Sequence, residues 1–401
     1  MIGNAYLKLY DEFVGINECP RIFHLWSAIA IVGAILSRRV KLKFGHGFIY
    51  PNQYILLTGG PGARKGTAIR IAKNLAKDSG YNFFAPNKAA KEALWQQMSE
   101  QNKNRALNLD FDLDIPTELF IAQDEFVDFI GIGNDDLITN LTNLWDNLDE
   151  FINPKQTRED VVITSPTINI LSGSAPGTIN EAFTSLALNG GFFSRVLLVS
   201  GAYKGEKVTW PTDSDPKLKA KLISMLKSIR ELQGEIILDD DVKNLLDRVY
   251  KSFPGIKDKR FDWYAQRRFT HLLKLVMILA ASRLSLRPTK EDVIEANTLL
   301  HGIEIGMPTA LGEYGKSRYS EVTNAVVDII GNAKAPINSR EIWKRVSHDV
   351  DKITTLNDIL QNLIAAEKIQ VIRRDGRTLG YLPLINPETS WPPELLCNDS
   401  Y

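Results

Sequence analysis

The sequence has little cysteine and no long apolar run. Its two cysteines, Cys19 and Cys397, lie near opposite ends of the 401 residues, which excludes a disulfide framework and a cysteine-rich zinc cluster. The longest apolar run, residues 26–36, is shorter than the roughly 20 residues that span a bilayer and predicts a buried helix. No signal-peptide pattern opens the chain. We therefore expect a soluble, cytoplasmic protein that does not enter a membrane.

An excess of charge of either sign is also lacking. The chain carries 48 lysines and arginines against 48 aspartates and glutamates, so its formal net charge is zero. Bulk charge therefore does not indicate a nucleic-acid partner, and any basic binding site has to be local. The five histidines are scattered, and no metal-ligand cluster or catalytic triad is apparent.

Four short apolar runs have the pattern of strands buried on both faces, at residues 54–58, 119–122, 168–171 and 196–199. Helical stretches separate them, which predicts an α/β core with a mostly parallel sheet. Helical patterns continue after residue 211, and from about residue 319 three helices precede two β-prone runs around Asp375-Gly376, a hairpin signal. This last order predicts a winged-helix module.

The predicted organisation has five parts. They are an N-terminal helical segment packed on the core (1–50), a nucleotide-binding core (51–210), a helical lid (211–316), a winged-helix domain (317–386) and a tail expected to be loosely held (387–401).

A Gly-rich segment, residues 59–67, follows the first buried run and opens a helical stretch. Its residues are Gly59, Gly60, Pro61, Gly62, Ala63, Arg64, Lys65, Gly66 and Thr67. Glycines allow backbone N–H groups to surround phosphate oxygens, and the helix N-terminus adds partial positive charge. Lys65 is placed to reach the β- and γ-phosphates of ATP. The segment therefore predicts an ATP site of the P-loop kind.

The segment departs from the usual G-x-x-x-x-G-K-[ST] pattern at two positions. Arg64 replaces the glycine before the lysine, and Gly66 replaces the hydroxyl residue after it. Thr67 is then the nearest candidate to provide a hydroxyl for Mg²⁺. A Gly-Pro-Gly turn that merely precedes a helix is the alternative interpretation.

Two acids end the second buried run, in the order Gln123-Asp124-Glu125. In P-loop ATPases such a strand is expected beside the loop strand, and its first acid reaches the Mg²⁺ ion. Asp124 is thus the predicted metal ligand, and Glu125 the predicted base that activates water. The alternative is a strand that runs into a solvated acidic turn.

Two later positions fit the same site. Ser174, at the end of the third run, is a candidate sensor of the γ-phosphate, and Ser172 competes for that role. Arg195 directly precedes the fourth run and is a candidate arginine finger that completes the site of a neighbouring subunit. The alternative for Ser174 is a strand that simply leaves the sheet. The alternative for Arg195 is a surface arginine bonded to local carbonyls.

These motifs resemble a family of phage- and mobile-element-encoded P-loop ATPases described as replication, primase-associated or helicase-like proteins. The resemblance rests on YPNQY at residues 50–54, GGPGARKGTAI, FIAQDE, SGSAP and GGFFSRVLLV, and it spans roughly residues 15–310. It implies a bacterial host cytoplasm and a role in DNA replication. In that family the Arg-Lys-small-Thr ending of the loop is typical.

The layout is also similar to AAA+ helicases related to the minichromosome-maintenance group. This similarity implies that Arg267, or Arg268 beside it, contacts the γ-phosphate, and that a hairpin near residues 151–160 brings Lys155 and Arg158 to DNA threaded through a ring, expected to be a hexamer. The alternative for the two arginines is the solvent-exposed face of an otherwise apolar helix, and the alternative for the hairpin is an ordinary polar loop.

Three arginines gather at the predicted wing, Arg373, Arg374 and Arg377, but neighbouring acids dilute their charge. Such a module binds duplex DNA or another protein, and both options stay open.

Together these features predict an ATP- and Mg²⁺-dependent DNA helicase or translocase that acts on a single strand, with a primase or another replication protein as a further partner. The alternatives are a helicase loader or replication initiator, and a signalling switch built from the same two domains.

Overall fold

The computed structural model describes residues 3–86, 91–107, 116–153, 160–176, 178–179, 191–201, 207–211, 215–311, 320–331, 333, 335–348, 352–365, 368–374, 377–383 and 391–397. The chain divides into two compact units. The first comprises Met1–Gly312 together with Trp391–Tyr401, and the second is Glu313–Ser390. Within the described residues, no helix combines the length and apolarity needed to cross a membrane.

The first unit contains a set of helices and strands that alternate along much of its length. Its helices are α1 (Ala5–Val14), α2 (Arg21–Leu36), α3 (Lys65–Asp78), α4 (Lys91–Leu107), α5 (Phe126–Ile130), α6 (Asp135–Trp145), α7 (Pro216–Arg230), α8 (Asp240–Lys251), α9 (Asp262–Ser282) and α10 (Lys290–Ala310). Its strands are β1 (Val40–Phe44), β2 (Gly47–Ile49), β3 (Tyr54–Thr58), β4 (Thr117–Gln123), β5 (Glu150–Asn153), β6 (Val161–Thr164), β7 (Pro166–Ser174), β8 (Val196–Ser200) and β9 (Gly234–Glu235).

The central sheet has four parallel strands in the order β4-β7-β3-β8. Every residue of β3, β4 and β7 is buried, which explains why these strands read as nearly continuous apolar runs. The prediction of an α/β core with a mostly parallel sheet is confirmed. Sequence analysis expected the acid-bearing strand β4 beside the loop strand β3. This expectation is wrong, because β7 lies between the two strands.

Helix α2 carries the apolar run that sequence analysis predicts to be buried. All its residues from Phe23 to the C-terminus are buried, and the helix packs against α1, α3 and the sheet. Beyond it, β1 pairs with β2 in an antiparallel hairpin and with β9 in parallel.

The C-terminal residues 391–397 are packed on the first unit, so the expectation of a loosely held tail is wrong there. Trp391 and Leu395 are buried. Asn297 Nδ2 donates a 2.7 Å hydrogen bond to Leu395 O, and the guanidinium of Arg268 lies 4.8 Å from the Trp391 ring centroid. The Trp391 ring of this segment therefore covers the guanidinium of Arg268 on α9.

Arg268 forms the main buried ion pair of that region. It is 3% exposed, and its Nε donates to Glu304 Oε1 at 2.5 Å. We expect Arg268→Ala to lower the free energy of unfolding by about 3–5 kcal/mol, because the Glu304 carboxylate stays buried without its partner. Urea denaturation followed by circular dichroism measures this loss.

The control is the double variant Arg268→Met with Glu304→Leu, which removes both charges together and should cost less. An equal loss in both proteins would contradict the ion-pair account and assign the effect to ring packing against Phe253 and Trp391.

The second unit consists of three helices followed by an antiparallel hairpin. These are α11 (Ser320–Gly331), α12 (Ser339–Val346), α13 (Ile353–Ala365), β10 (Ile369–Arg374) and β11 (Arg377–Pro383). A bridge between Ile337 and Tyr381 adds a third extended segment beside β11. The unit has its own core, with Val326, Ile330, Ile342 and Leu356 at 1% exposure or less.

Candidate functional site

The groups predicted from three separate motifs meet at one edge of the central sheet. Thr58 ends β3 and is in register with Ser174, which ends β7, and Asp124 directly follows β4. Parallel strands expose their carboxyl ends at the same edge, which is where α/β sheets bind ligands. The Gly-rich segment connects β3 to α3 at this edge.

Arg64 occupies a backbone conformation that usually requires glycine. Its φ and ψ are 60° and 23°, in the left-handed region, at the position where the common motif has glycine. This conformation costs a non-glycine residue roughly 1 kcal/mol. The Arg64 side chain binds Glu18, with Nε 3.0 Å and Nη2 2.5 Å from Oε2. The same hydrogen bonds, followed by one from Val208 N, lower the pKa of Glu18.

Gly66 lies directly against the carboxylate of Asp124. A Cβ atom at Gly66 would lie 3.0 Å from Asp124 Cγ and 3.0 Å from Oδ1. A serine or threonine at position 66 would therefore be in tight contact with this acid, whose carboxylate would have to shift by a few tenths of an ångström. Thr67 is the next residue in the first turn of α3.

A second glycine lets Asp124 approach α3 across the intervening strand. A Cβ atom at Gly173 of β7 would lie 2.3 Å from Asp124 O and 3.4 Å from Lys65 Cβ. Without a side chain there, the chain leaving β4 crosses over the end of β7. Asp124 thus reaches the Gly-rich segment although β4 is not adjacent to β3.

Lys65 is the first residue of α3 and folds back over the segment. Its Nζ donates hydrogen bonds to Gly59 O at 2.7 Å and to Gly60 O at 3.4 Å. Partial burial lowers the pKa of Lys65, and the charge of Glu125 acts in the opposite direction. The ammonium group thus bonds to the backbone of the loop.

Glu125 is connected to Ser174 through a residue that sequence analysis missed. Thr178 Oγ1 lies 3.3 Å from Glu125 Oε1 and 3.2 Å from Ser174 Oγ. The competing Ser172 is fully buried, and its hydroxyl donates to Gln123 O at 2.7 Å within the sheet. Of the two serines, Ser174 is therefore the one linked to Glu125, through Thr178. No sequence signal marked Thr178, since a single threonine in a helical turn is common.

An open pocket of about 570 Å³ adjoins the Gly-rich segment. Its lining residues are Glu18, Pro61, Gly62, Arg64, Lys207 and Thr209. Glu18, Lys207 and Thr209 were not predicted, because they lie far from the motif in sequence and carry no pattern of their own. The pocket is large enough for part of a nucleotide and is bordered by charges of both signs.

The donor set at this edge fits a Mg²⁺ ion that is shared with phosphate oxygens. Thr67 offers a hydroxyl and Asp124 a carboxylate, which are oxygen ligands that Mg²⁺ accepts. No group of three or more histidine, cysteine, aspartate or glutamate side chains that could hold a metal was found among the described residues. Among the described residues, Thr67 and Asp124 would therefore leave coordination positions that phosphate oxygens and water would fill.

The two predicted arginines meet at the opposite edge of the sheet. Arg195 Nη2 lies 2.6 Å from Asp146 Oδ2, and Arg267 Nη1 lies 3.3 Å from Asp146 Oδ1. Arg195 directly precedes β8, whose first residue is in register with Tyr54 at the start of β3. The position of Arg195 is therefore five residues of strand, roughly 16 Å, from the end of β3 where the Gly-rich segment begins. The structure does not place Arg267 beside Lys65.

A third basic side chain, Lys274, lies beside this pair of arginines. The Trp145 ring has Lys274 Nζ 4.0 Å from its centroid and the guanidinium of Arg267 at 5.6 Å. Lys274 is fully buried, which lowers its pKa well below the usual value, and its Nζ donates to Asn52 Oδ1. Two guanidinium groups therefore share one carboxylate.

The predicted DNA-contacting residues fall into two groups. Strands β5 and β6 form the antiparallel pair expected near residues 151–160, but Lys155 and Arg158 lie outside the described residues. In the second unit Arg373 is exposed, and the backbone of Arg374 pairs with that of Arg377.

A scan against protein-family models found no match for this chain, and a search of the curated proteins found none either. The candidate functional residues of the first unit lie at two edges of the central sheet. One edge carries the Gly-rich segment and the paired acids, and the other carries the arginine pair.

Proposed function

We propose that this protein is an ATPase of the P-loop type that works as a ring and moves on DNA. The observation that carries the proposal is the position of Asp124, whose carboxylate lies against Gly66 in the first turn of α3 while Lys65 stands beside it. Three motifs far apart in sequence supply the groups that phosphoryl transfer requires.

Binding of ATP follows from the chemistry of the segment. Backbone N–H groups at the N-terminus of α3 and the Lys65 ammonium attract phosphate oxygens. Gly60 and Gly62 have open space where a side chain would stand, so the segment offers room beside its backbone. Thr67 and Asp124 would hold Mg²⁺, which would neutralise charge on the phosphates.

Hydrolysis requires a base and a charge on the far side of the γ-phosphate. Glu125 accepts the proton of the attacking water, and Thr178 and Ser174 orient the carboxylate and the phosphate. Arg195 and Arg267 are paired with Asp146 at the opposite edge of the sheet from their own segment, and we propose that they serve a neighbouring subunit. A head-to-tail contact of this kind forms a ring when the rotation between subunits closes.

The second unit is proposed to be a winged helix, with Arg373, Arg374 and Arg377 at its wing. The order of three helices and a hairpin supports this assignment. In a motor it grips duplex DNA or a replication partner while hairpin β5–β6 contacts the threaded strand.

Activity assays separate the motor from its alternatives. A motor shows ATP hydrolysis stimulated by single-stranded DNA and separates a forked duplex. A loader or initiator binds DNA or a helicase in an ATP-dependent way without unwinding. A switch keeps ADP tightly bound and turns over slowly whether or not DNA is present.

Glu125→Gln is expected to lower the rate of ATP hydrolysis by about 10²- to 10⁴-fold, because the amide cannot accept the proton of water. ATP binding should persist, and oligomers should be stabilised by the trapped nucleotide. Steady-state turnover and mass measurement with ATP check both parts.

The matched control is Asp128→Asn, which removes an exposed carboxylate one turn further along α5 and should leave turnover unchanged. Wild-type turnover in the Glu125→Gln protein would remove this residue as the base.

A further inference from the structure

A small hairpin, residues 40–49, presents aromatic and basic side chains together. Strand β1 pairs with β2 in the register Lys43 with Phe48 and Phe44 with Gly47. Lys43 and residues 44–48 are exposed. Strand β2 is the edge of its three-stranded sheet, whose order is β2-β1-β9. We call residues 40–49 the Lys-Phe hairpin.

Two lysines lie beside one ring on this hairpin. Lys41 Nζ and Lys43 Nζ are each 4.7 Å from the centroid of Phe48, which is 39% exposed. Neither lysine forms an ion pair with any residue that the structure describes, although the exposed Glu235 is paired with Lys41 by register. No carboxylate among the described residues is therefore in ionic contact with the two ammonium groups beside this ring.

A second group of aromatic rings lies on the other face of the hairpin. Phe44 is 50% exposed, and its ring centroid lies 6.1 Å from that of Phe269. Phe269 lies 4.9 Å from Tyr250, which is 60% exposed. Exposed aromatic side chains grouped in this way mark a binding surface, because burial alone does not explain them.

We propose that the Lys-Phe hairpin binds single-stranded nucleic acid. Proteins that hold single strands combine cations for the phosphates with aromatic rings on which bases stack, and both are present here. A duplex keeps its bases stacked inside and cannot use the rings. The inference deepens the proposed function, on whose DNA-dependent part it rests, by adding a contact that sequence analysis did not assign.

The charge distribution favours an anionic partner at this position. The chain as a whole is neutral, yet the hairpin carries Lys41, Lys43 and His46 and no acid of its own. An acidic protein segment would also meet the lysines, but it would have no bases to stack on Phe48. The aromatic dependence of binding therefore distinguishes the two partners.

Fluorescence anisotropy with a labelled 20-nucleotide oligothymidylate and the full-length protein tests the proposal. Phe48→Ala should weaken binding about tenfold, the contribution of one stacked base, and Phe48→Trp should restore it. The double variant Lys41→Gln with Lys43→Gln should also weaken binding. It should reduce the slope of log K against log salt concentration by about 1.4, as expected for two lost phosphate contacts to a single strand.

The matched control is Lys221→Gln with Lys227→Gln, which removes the same charge from two exposed lysines of α7. This control should bind like the wild type, and none of the variants should change ATP hydrolysis measured without DNA. Equal binding by wild type, Phe48→Ala and the Lys41/Lys43 variant would overturn the inference.

Two further outcomes also overturn it. One is loss of polyglutamate binding but not of oligothymidylate binding in the Lys41/Lys43 variant, which would identify an acidic protein as the partner. The other is a Phe48→Ala defect that is as large on duplex DNA. If the wild type hydrolyses ATP but neither binds nor responds to DNA, the DNA part of the proposed function fails as well. If DNA stimulates the wild type and the hairpin variants bind DNA like the wild type, the inference fails and the proposed function stands.

Discussion

Lys65→Ala is expected to abolish ATP binding at concentrations that saturate the wild type. The Lys65 ammonium is proposed to make charge-assisted contacts with two phosphates, and each such contact is worth about 1.5–3 kcal/mol. Together they correspond to an affinity loss of at least about 100-fold. Titration calorimetry measures the affinity. The ATP-dependent rise in unfolding temperature, which should vanish, gives a second measure.

Lys77→Ala is the matched control, because Lys77 lies on the same helix and is exposed. It should bind ATP like the wild type. Since Lys65 also donates to Gly59 O, circular dichroism verifies that the variant is folded. Unchanged nucleotide affinity in folded Lys65→Ala protein would refute the assignment of the Gly-rich segment.

Arg195→Ala is expected to keep ATP binding and to lose hydrolysis by about 10³- to 10⁵-fold, the range for arginine fingers in phosphoryl transfer. The reason is that Arg195 lies at the edge of the sheet away from its own segment, from where it is proposed to serve a neighbouring subunit. Mixing inactive subunits tests this directly. In a random equal mixture with Lys65→Ala, about a quarter of head-to-tail interfaces contain an intact segment and an intact arginine, and activity should return.

The same mixing experiment assigns Arg267. Because Arg195 and Arg267 share the carboxylate of Asp146, we propose that they act from the same side of a subunit interface. Arg267→Ala mixed with Arg195→Ala should therefore recover no activity, whereas Arg267→Ala mixed with Lys65→Ala should recover it. Recovery in the first mixture and none in the second would place Arg267 at the nucleotide of its own subunit. If no pair recovers activity, the shared-site proposal is wrong.

Local sequence patterns predicted the secondary structure closely. The run 54–58 is strand β3 residue for residue, and the run 196–199 forms all but the last residue of strand β8. These elements follow from neighbouring residues, since strands buried on both faces need unbroken apolar runs. The tail after residue 390 was mispredicted, because its polar, proline-rich composition concealed two apolar side chains that pack elsewhere in the fold.

The missing partners of the candidate site all come from distant parts of the chain. Glu18 binds Arg64 from 46 residues away, and Thr178 contacts Glu125 from 53 residues away. Asp146 joins Arg267 across 121 residues. None belongs to a recognisable motif, so only the packed structure identifies them.

By itself, the sequence determined which segments become strands and helices, and it presented the Gly-rich segment and the paired acids in an order typical of ATP sites. Tertiary structure decided what those segments meet. Strand order placed β7 between the loop strand and the acid strand, and Gly173 let Asp124 cross it to Gly66. Parallel register put Arg195 at the opposite edge, where Asp146 binds it together with Arg267. The physical reason is that backbone preference depends on adjacent residues, whereas these contacts depend on how whole strands and helices pack.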